Sequence, residues 1–237
     1  MGLEPITDPQ AFATTRASWH AIAEHVLARA RWEATGHIGL RADPEGVATP
    51  YYGDECRALL TVAGIEREQY GERAVAPIST LAAAAAWIGV TLGAPRDVYT
   101  PTTPLEPDAP LPIDAGASHL LAKWYAFAHD ALHRWRAEHR SDEPSLVQLW
   151  PEHFDVAVDL GSVDAGTRAN YGASPGDAAI AEPYLYVGPW SMNGRDDPFW
   201  NQPWGAALPY GALCAAPDPT VVAASFLAHG RARLAPS

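Results

Sequence analysis

The sequence predicts an α+β fold, a mostly antiparallel sheet with several packing helices. Two observations carry this. Apolar residues recur at helical spacing in four stretches, and the short alternating runs between them come in hairpin-like pairs joined by turn residues. Strands that precede or follow helices in runs, without regular βαβ alternation, point to α+β architecture.

The first helix opens at Asp8-Pro9, with Asp as N-cap and Pro at the first helical position. Phe12, Trp19, Ile22, Ala23, Val26 and Ala30 form its stripe, and Gly36 ends it in a left-handed conformation. "HIGLRA" (37–42) and "VATPYY" (47–52) flank the turn Asp43-Pro44-Glu45-Gly46. "RALLTVA" (57–63) and "IEREQY" (65–70) form a second hairpin at Gly64, and "RAVAPI" (73–78) is a further short strand. Ser79 or Thr80 caps a helix through Trp87 and Ile88 that stops near Gly93-Ala94-Pro95. This organises residues 1–94 as helix, hairpins and helix.

Residues 95–113 follow as a Pro-rich connector, with prolines at 95, 101, 104, 107, 110 and 112. Such density excludes a helix interior or a central strand, so the segment is an extended linker or a surface strap. Residues 114–237 then hold the longest helix, strands, a Trp-rich loop and a C-terminal helix, and the whole reads as one compact globular domain. Asp114 caps the long helix, about residues 115–139, whose stripe is Leu121, Trp124, Tyr125, Ala128, Leu132 and Trp135. "SLVQLWPEHFDVAVDL" is a strand interrupted at Pro151, "RANYGASPGD" is turn-rich, and "EPYLYVG" (182–188) is a strand. Asp218-Pro219 opens the last helix.

The formal charge of −12, with 28 acidic and 16 basic residues, repels phosphate backbones, and no basic stripe offsets it. Nucleic acid is therefore not an expected partner. "LAAAAAWIGVTLGA" is too short to cross a bilayer, and the N-terminus lacks the pattern of a signal peptide. A soluble, cytoplasmic, acidic protein is expected, with Cys56 and Cys214 reduced and buried.

Three groups of residues are candidates for chemistry. In "PEHFDVAVDL" alternation puts Phe154, Val156, Val158 and Leu160 on a core face, and His153, Asp155, Ala157 and Asp159 on the other. His153 is the candidate catalytic imidazole and Asp155 the carboxylate that orients it; Glu152, just past a proline, marks a bulge or pocket mouth. The same pattern fits a half-exposed strand with a polar outer face.

The second group is "GPWSMNGRDDPFWNQPWGAALPY" (188–210), a long loop on a Pro/Gly scaffold. Trp190, Trp200 and Trp204 supply flat apolar faces, and Arg195 and Asn201 add polar groups, so the five are candidate ligand-binding residues. The alternative is a plug of aromatics folded over the sheet. The third group pairs His20 with Glu24 and His129 with His133, each at i,i+4, as candidate metal ligands. That spacing matches neither H-E-x-x-H nor H-x-x-E-H. Among sequence motifs there is no dinucleotide or phosphate-binding glycine pattern and no G-x-S-x-G elbow, so no cofactor is specified.

"SWHAIAEHVL", "TGHIGLRA", "LWPEHFDVAVDL", "NYGASPGD", "EPYLYVGPW" and "FWNQPWGAALPY" together resemble a set of actinobacterial proteins of unassigned activity, over most of the chain. A second bacterial domain family is more distantly similar through S-x-V-H-F-F-W-G-S-F-D-x-A-V, aligned with "SLVQLWPEHFDVAV", and through L-P-Y and A-P-D-P. Here Gln148 stands where that pattern has its histidine, and His153 falls at its serine. The resemblance implies the layout and no chemistry.

The leading expectation is a small-molecule-binding protein or enzyme with a pocket between the 152–159 strand and the 188–210 loop. The alternatives are a metal-dependent hydrolase or isomerase using His20, Glu24, His129 and His133, and a non-enzymatic interaction or structural protein.

Overall fold

The computed structural model describes residues 2–234. The chain forms two compact units. An N-terminal unit comprises Ile6–Ala126 and Gln148–Phe154; a C-terminal unit comprises Met1–Pro5, Phe127–Val147 and Asp155–Ser237. The fold is α+β, with antiparallel sheets and several helices.

In the N-terminal unit, α1 (Pro9–Ile22) runs through a five-residue π-helical turn, Ala23–Leu27, into α2 (Ala28–Thr35). Asp8 caps α1 by accepting from Ala11 N at 2.9 Å, and Gly36, at φ +71°, ends α2 with its N–H on Trp32 O at 2.8 Å. Phe12, Trp19, Ile22 and Val26 are buried along one stripe, each contributing about 1.5–3 kcal/mol of burial.

Strands β1 (Arg41–Asp43), β2 (Gly46–Ala48), β3 (Cys56–Thr61), β4 (Gly64–Gln69) and β5 (Glu72–Ala76) pair antiparallel in that order. Ala42, Val47, Ala58, Leu60 and Ile65 make a buried apolar face. The opposite face is polar and largely charged and yet buried: Asp43, Arg57, Thr61, Glu66 and Glu68 are all under a tenth exposed. Cross-strand register explains their pairing, since Arg57 lies opposite Glu68 and Glu68 opposite Arg73. Arg57 reaches Asp43 at 2.9 Å and Glu68 at 2.8 Å, Arg73 Nε reaches Glu68 at 2.8 Å, and the Tyr51 hydroxyl donates to Glu68 at 2.5 Å. Burial alone would raise the Glu68 carboxyl; the hydrogen bonds from Tyr51, Arg57 and Arg73 prevail and hold it at about 2.

Helix α3 (Leu81–Ile88), capped by Thr80, stops at Gly89, earlier than the sequence suggested. The Pro-rich connector contains no helix or strand and acts within this unit as a strap. Its backbone is tied down at Ala82 N–Pro107 O (2.9 Å), Leu111 N–Ser79 O (2.8 Å) and Ser18 Oγ–Pro112 O (2.9 Å).

The boundary between units falls inside α4 (Ala115–Glu138), whose N-cap Asp114 accepts from Ala117 N at 2.8 Å. Strand β6 (Gln148–Trp150) belongs to the N-terminal unit and bridges Leu40 through Leu149.

The C-terminal unit builds an antiparallel sheet from β7 (Asp155–Leu160), β8 (Ala169–Ser174), β9 (Tyr184–Pro189) and β10 (Ala206–Pro209), neighbours in the order β10-β9-β8-β7. Two expectations need correcting. "RANYGASPGD" is not all turn: Ala169, Tyr171 and Ala173 alternate as fully buried residues of β8. The stretch 188–210 is not a single loop, because β10 occupies its end. Helix α5 (Tyr210–Cys214) and helix α6 (Pro219–Leu234) follow.

One sheet face, with Val158, Tyr171 and Val187, is covered by helices: the Trp135 ring of α4 sits 5.3 Å from Tyr171, and Gly230 of α6 lets the helix close on Val187, where a Cβ would come within 2.8 Å. Cys56 and Cys214 are unbridged and half-buried, not buried. Among the described residues no helix is long and apolar enough to cross a membrane.

Candidate functional site

The polar stretch after Pro151 does not continue as one strand. Residues 151–154 form a turn closed by Phe154 N–Trp150 O at 2.7 Å, and Phe154 itself takes φ +54°. A bulky residue seldom adopts that conformation. It is held by its ring, stacked on His20 at 4.8 Å and edge-on to Tyr125 at 5.4 Å, and by its carbonyl, which accepts from the Tyr125 hydroxyl at 2.8 Å. The turn breaks the alternation, so the shared face read for His153 and Asp155 is overturned. His153 is exposed on the turn in the N-terminal unit, whereas Asp155 opens β7 in the C-terminal unit.

Asp155 is buried and accepts a hydrogen bond from the Tyr186 hydroxyl of β9. The two strands are not adjacent; β8 lies between them. Gly172, opposite both Ala157 and Tyr186, makes the contact possible. The Tyr186 ring lies over Gly172, and a Cβ there would collide with it. Burial, reinforced by the Asp155 charge, pushes the Tyr186 phenol well above its ordinary value, so it stays protonated and donates.

Tyr186 is part of a larger aromatic face. Tyr184, two residues earlier on β9, donates to Asp177 at 2.6 Å. Trp204 stands edge-on to Tyr186 at 6.0 Å and tilted to Tyr184 at 6.1 Å, and the two tyrosine rings are 6.2 Å apart. Trp204 is 39 % exposed and forms the outer wall. Along the same face, Arg168 pairs with Asp159 and lies 5.3 Å over the ring of Trp190, itself 59 % exposed. Asp155, Trp190 and Trp204 are therefore brought to one sheet face. Tyr184, Tyr186, Asp177 and Gly172 join them without having been singled out from sequence; the alternation of Tyr184 and Tyr186 in "YLYVG" was the signal.

The other loop candidates serve the loop itself. Arg195 donates to the carbonyls of Ser191 (2.8 Å), Gly166 (2.9 Å) and Arg233 (3.2 Å) and lies over Trp200 at 5.6 Å. Asn201 pairs in both directions with the Ala207 backbone, at 2.9 and 2.8 Å, imitating a strand. Phe199 packs 5.0 Å from Trp200 and 5.3 Å from Phe226 of α6. The loop is thus a plug at Phe199 and an open wall at Trp204.

The residues of the expected metal quartet are divided between the two units. His20 and Glu24 lie in the N-terminal unit, and His129 and His133, with rings 4.2 Å apart, in the C-terminal unit. Among the described residues no group of three or more His, Cys, Asp or Glu side chains is arranged to hold a metal ion. His20 and Glu24 belong instead to a buried cluster at the π-helical turn, a feature common where a helix serves a special role. The Glu24 carboxylate accepts from Thr102 N (2.9 Å), Thr103 N (2.8 Å) and the Thr103 hydroxyl (2.5 Å) of the strap. His20 Nε2 lies 2.7 Å from Pro151 O and 3.9 Å from Glu24, and Glu152 contributes its carbonyl to the Thr102 hydroxyl at 3.2 Å. His25 accepts from Ala94 N on Nδ1 at 3.2 Å, which leaves its proton on Nε2, 3.1 Å from Thr103 O. Burial lowers the pKa of both His20 and His25, although Glu24 pulls the other way. This cluster fastens the strap.

No protein-family model, no curated protein and no solved structure matches the chain.

Proposed function

We propose that the chain is a small-molecule-binding protein whose site is the aromatic face of the C-terminal sheet, and that its ligand is a small, partly apolar organic cation. The observation that carries this reading is the trio Tyr184, Tyr186 and Trp204, mutually about 6 Å apart, with the two tyrosine hydroxyls donating to the carboxylates Asp177 and Asp155. Ring faces attract cations, and nearby carboxylates add a negative potential. Asp155, Asp159 and Asp177 outnumber the one guanidinium of Arg168, and the chain's charge of −12 acts in the same sense.

Binding fits this geometry better than proton transfer. A phenol pushed upward by burial and by Asp155 neither releases its proton near neutral pH nor accepts another. The test is ligand-observed NMR with phenethylammonium beside 2-phenylethanol, its uncharged counterpart. The cation should bind, more weakly as salt rises, and the alcohol should bind less. Equal binding of the two, or none, would remove the proposal.

A further inference from the structure

We infer that the C-terminal unit carries a second binding site, on the helix-covered side of its sheet, for a neutral polyhydroxylated molecule of monosaccharide size. A hollow of about 320 Å³, open to solvent on one side, is lined there by Asp142, Glu143, Leu160, Ser162, Thr167 and Arg231. That lies in the range of small-molecule sites and holds roughly ten waters by liquid volume.

The walls are fixed by backbone bonds. Gly161 N donates to Asp142 O at 2.8 Å, Thr167 N to Ser162 O at 2.9 Å, and Ser162 N to the Thr167 hydroxyl at 3.0 Å. Glu143 takes φ +51°, unusual for a residue with a side chain.

The polar groups of the hollow show what would fit. Arg231, part-exposed, spends Nε (2.7 Å) and Nη2 on one oxygen of Asp142, and its Nη1 has no acceptor among the described residues. The exposed Ser162 hydroxyl accepts from Ala165 N at 3.2 Å and has no acceptor for its own proton among the described residues. The Tyr171 hydroxyl does not itself line the hollow but feels the charges of both Arg231 and Asp142, and it is buried with no hydrogen-bond partner among the described residues. Buried polar groups are rarely left this way unless a water or ligand completes them. The unused donors call for oxygen acceptors. Two carboxylates against one guanidinium, however, leave the lining net negative and disfavour an anion. Uncharged hydroxyl groups answer both demands, since each can accept from Arg231 or Ser162 and donate to Glu143.

The experiment is isothermal titration of the full chain with D-glucose, D-galactose and myo-inositol, with inorganic phosphate as the anionic probe. At least one polyol should bind saturably and phosphate should not. Arg231→Gln should weaken that binding about tenfold or more, the size of a hydrogen bond to a charged group. Ser141→Phe, at an exposed position on the rim, should abolish it while leaving the thermal midpoint in place, and Trp204→Ala should not alter it. Absence of any polyol binding, preference for phosphate, or binding indifferent to both rim variants would overturn the assignment.

Discussion

The hydroxyl of Tyr186 reaches the carboxylate of Asp155 across an intervening strand, at a position where that strand has only a glycine. Sequence neighbours do not suggest the pair, and it organises one whole face of the C-terminal sheet. Gly172→Ala should push the ring off its seat. The expected cost is about 1–3 kcal/mol, as for overpacking elsewhere, read as a lower denaturant midpoint.

Two tyrosine-to-phenylalanine changes should behave oppositely. Tyr186→Phe removes a donor from a buried carboxylate and should cost about 1–3 kcal/mol. Tyr171→Phe removes a hydroxyl with no partner among the described residues and should stay within about 0.5 kcal/mol of the parent when no ligand is present. Chemical denaturation of both variants beside the parent checks the contrast, and equal losses would refute it.

The strap should loosen in acid. His25 accepts on Nδ1, and a second proton would face the Ala94 N–H head-on. Its folded pKa, like that of His20, lies below the ordinary 6.5, chiefly through burial. Above 6.5 both folded and unfolded forms are neutral and the stability is fully present. As pH falls below 6.5 the unfolded chain binds the protons first, and stability declines until the folded pKa is passed. Glu24 and Arg96 face His25 with opposite influence, and Arg16 and Glu24 do the same at His20. The thermal midpoint should drop between about pH 7 and pH 5, and His25→Gln should flatten that slope while lowering the midpoint at pH 7. A parent curve already flat over this window would contradict the account.

Arg57 should be among the costliest single positions in the N-terminal sheet. Arg57→Met leaves Asp43 and Glu68 buried without their shared cation, for about 3–5 kcal/mol. Glu68 adds a separate acid dependence: its stabilisation is complete above its ordinary value of 4.5 and is lost as pH falls toward about 2.

Helix starts and turns were legible because they depend on local chemistry. Asp8, Thr80 and Asp114 cap as their side chains dictate, and Gly36 ends its helix in the left-handed region. The α+β class followed from the same local signals. What could not be read depended on partners distant in sequence. His153 and Asp155 were placed together by alternation, and Phe154, with its positive φ, separates them. The strand 169–174 was hidden by Asn, Gly and Ser, which read as turn residues until Ala169, Tyr171 and Ala173 are seen buried. The Arg57 network was invisible because its charges look like an ordinary wet face. Of the proposed aromatic face, the sequence points to Asp155, Trp190 and Trp204; their grouping with Tyr184 and Tyr186 needs the register of β7, β8 and β9.

The most direct test of a cation site on the aromatic face is residue-resolved. Phenethylammonium should be titrated into isotopically labelled protein and followed by amide chemical shifts. Shifts should gather at Asp155, Gly172, Tyr184, Tyr186 and Trp204, and Trp204→Ala should weaken binding about 2- to 30-fold, the range of a cation–π contact. Saturating ligand that leaves those amides unmoved, or moves a different region, would contradict the account.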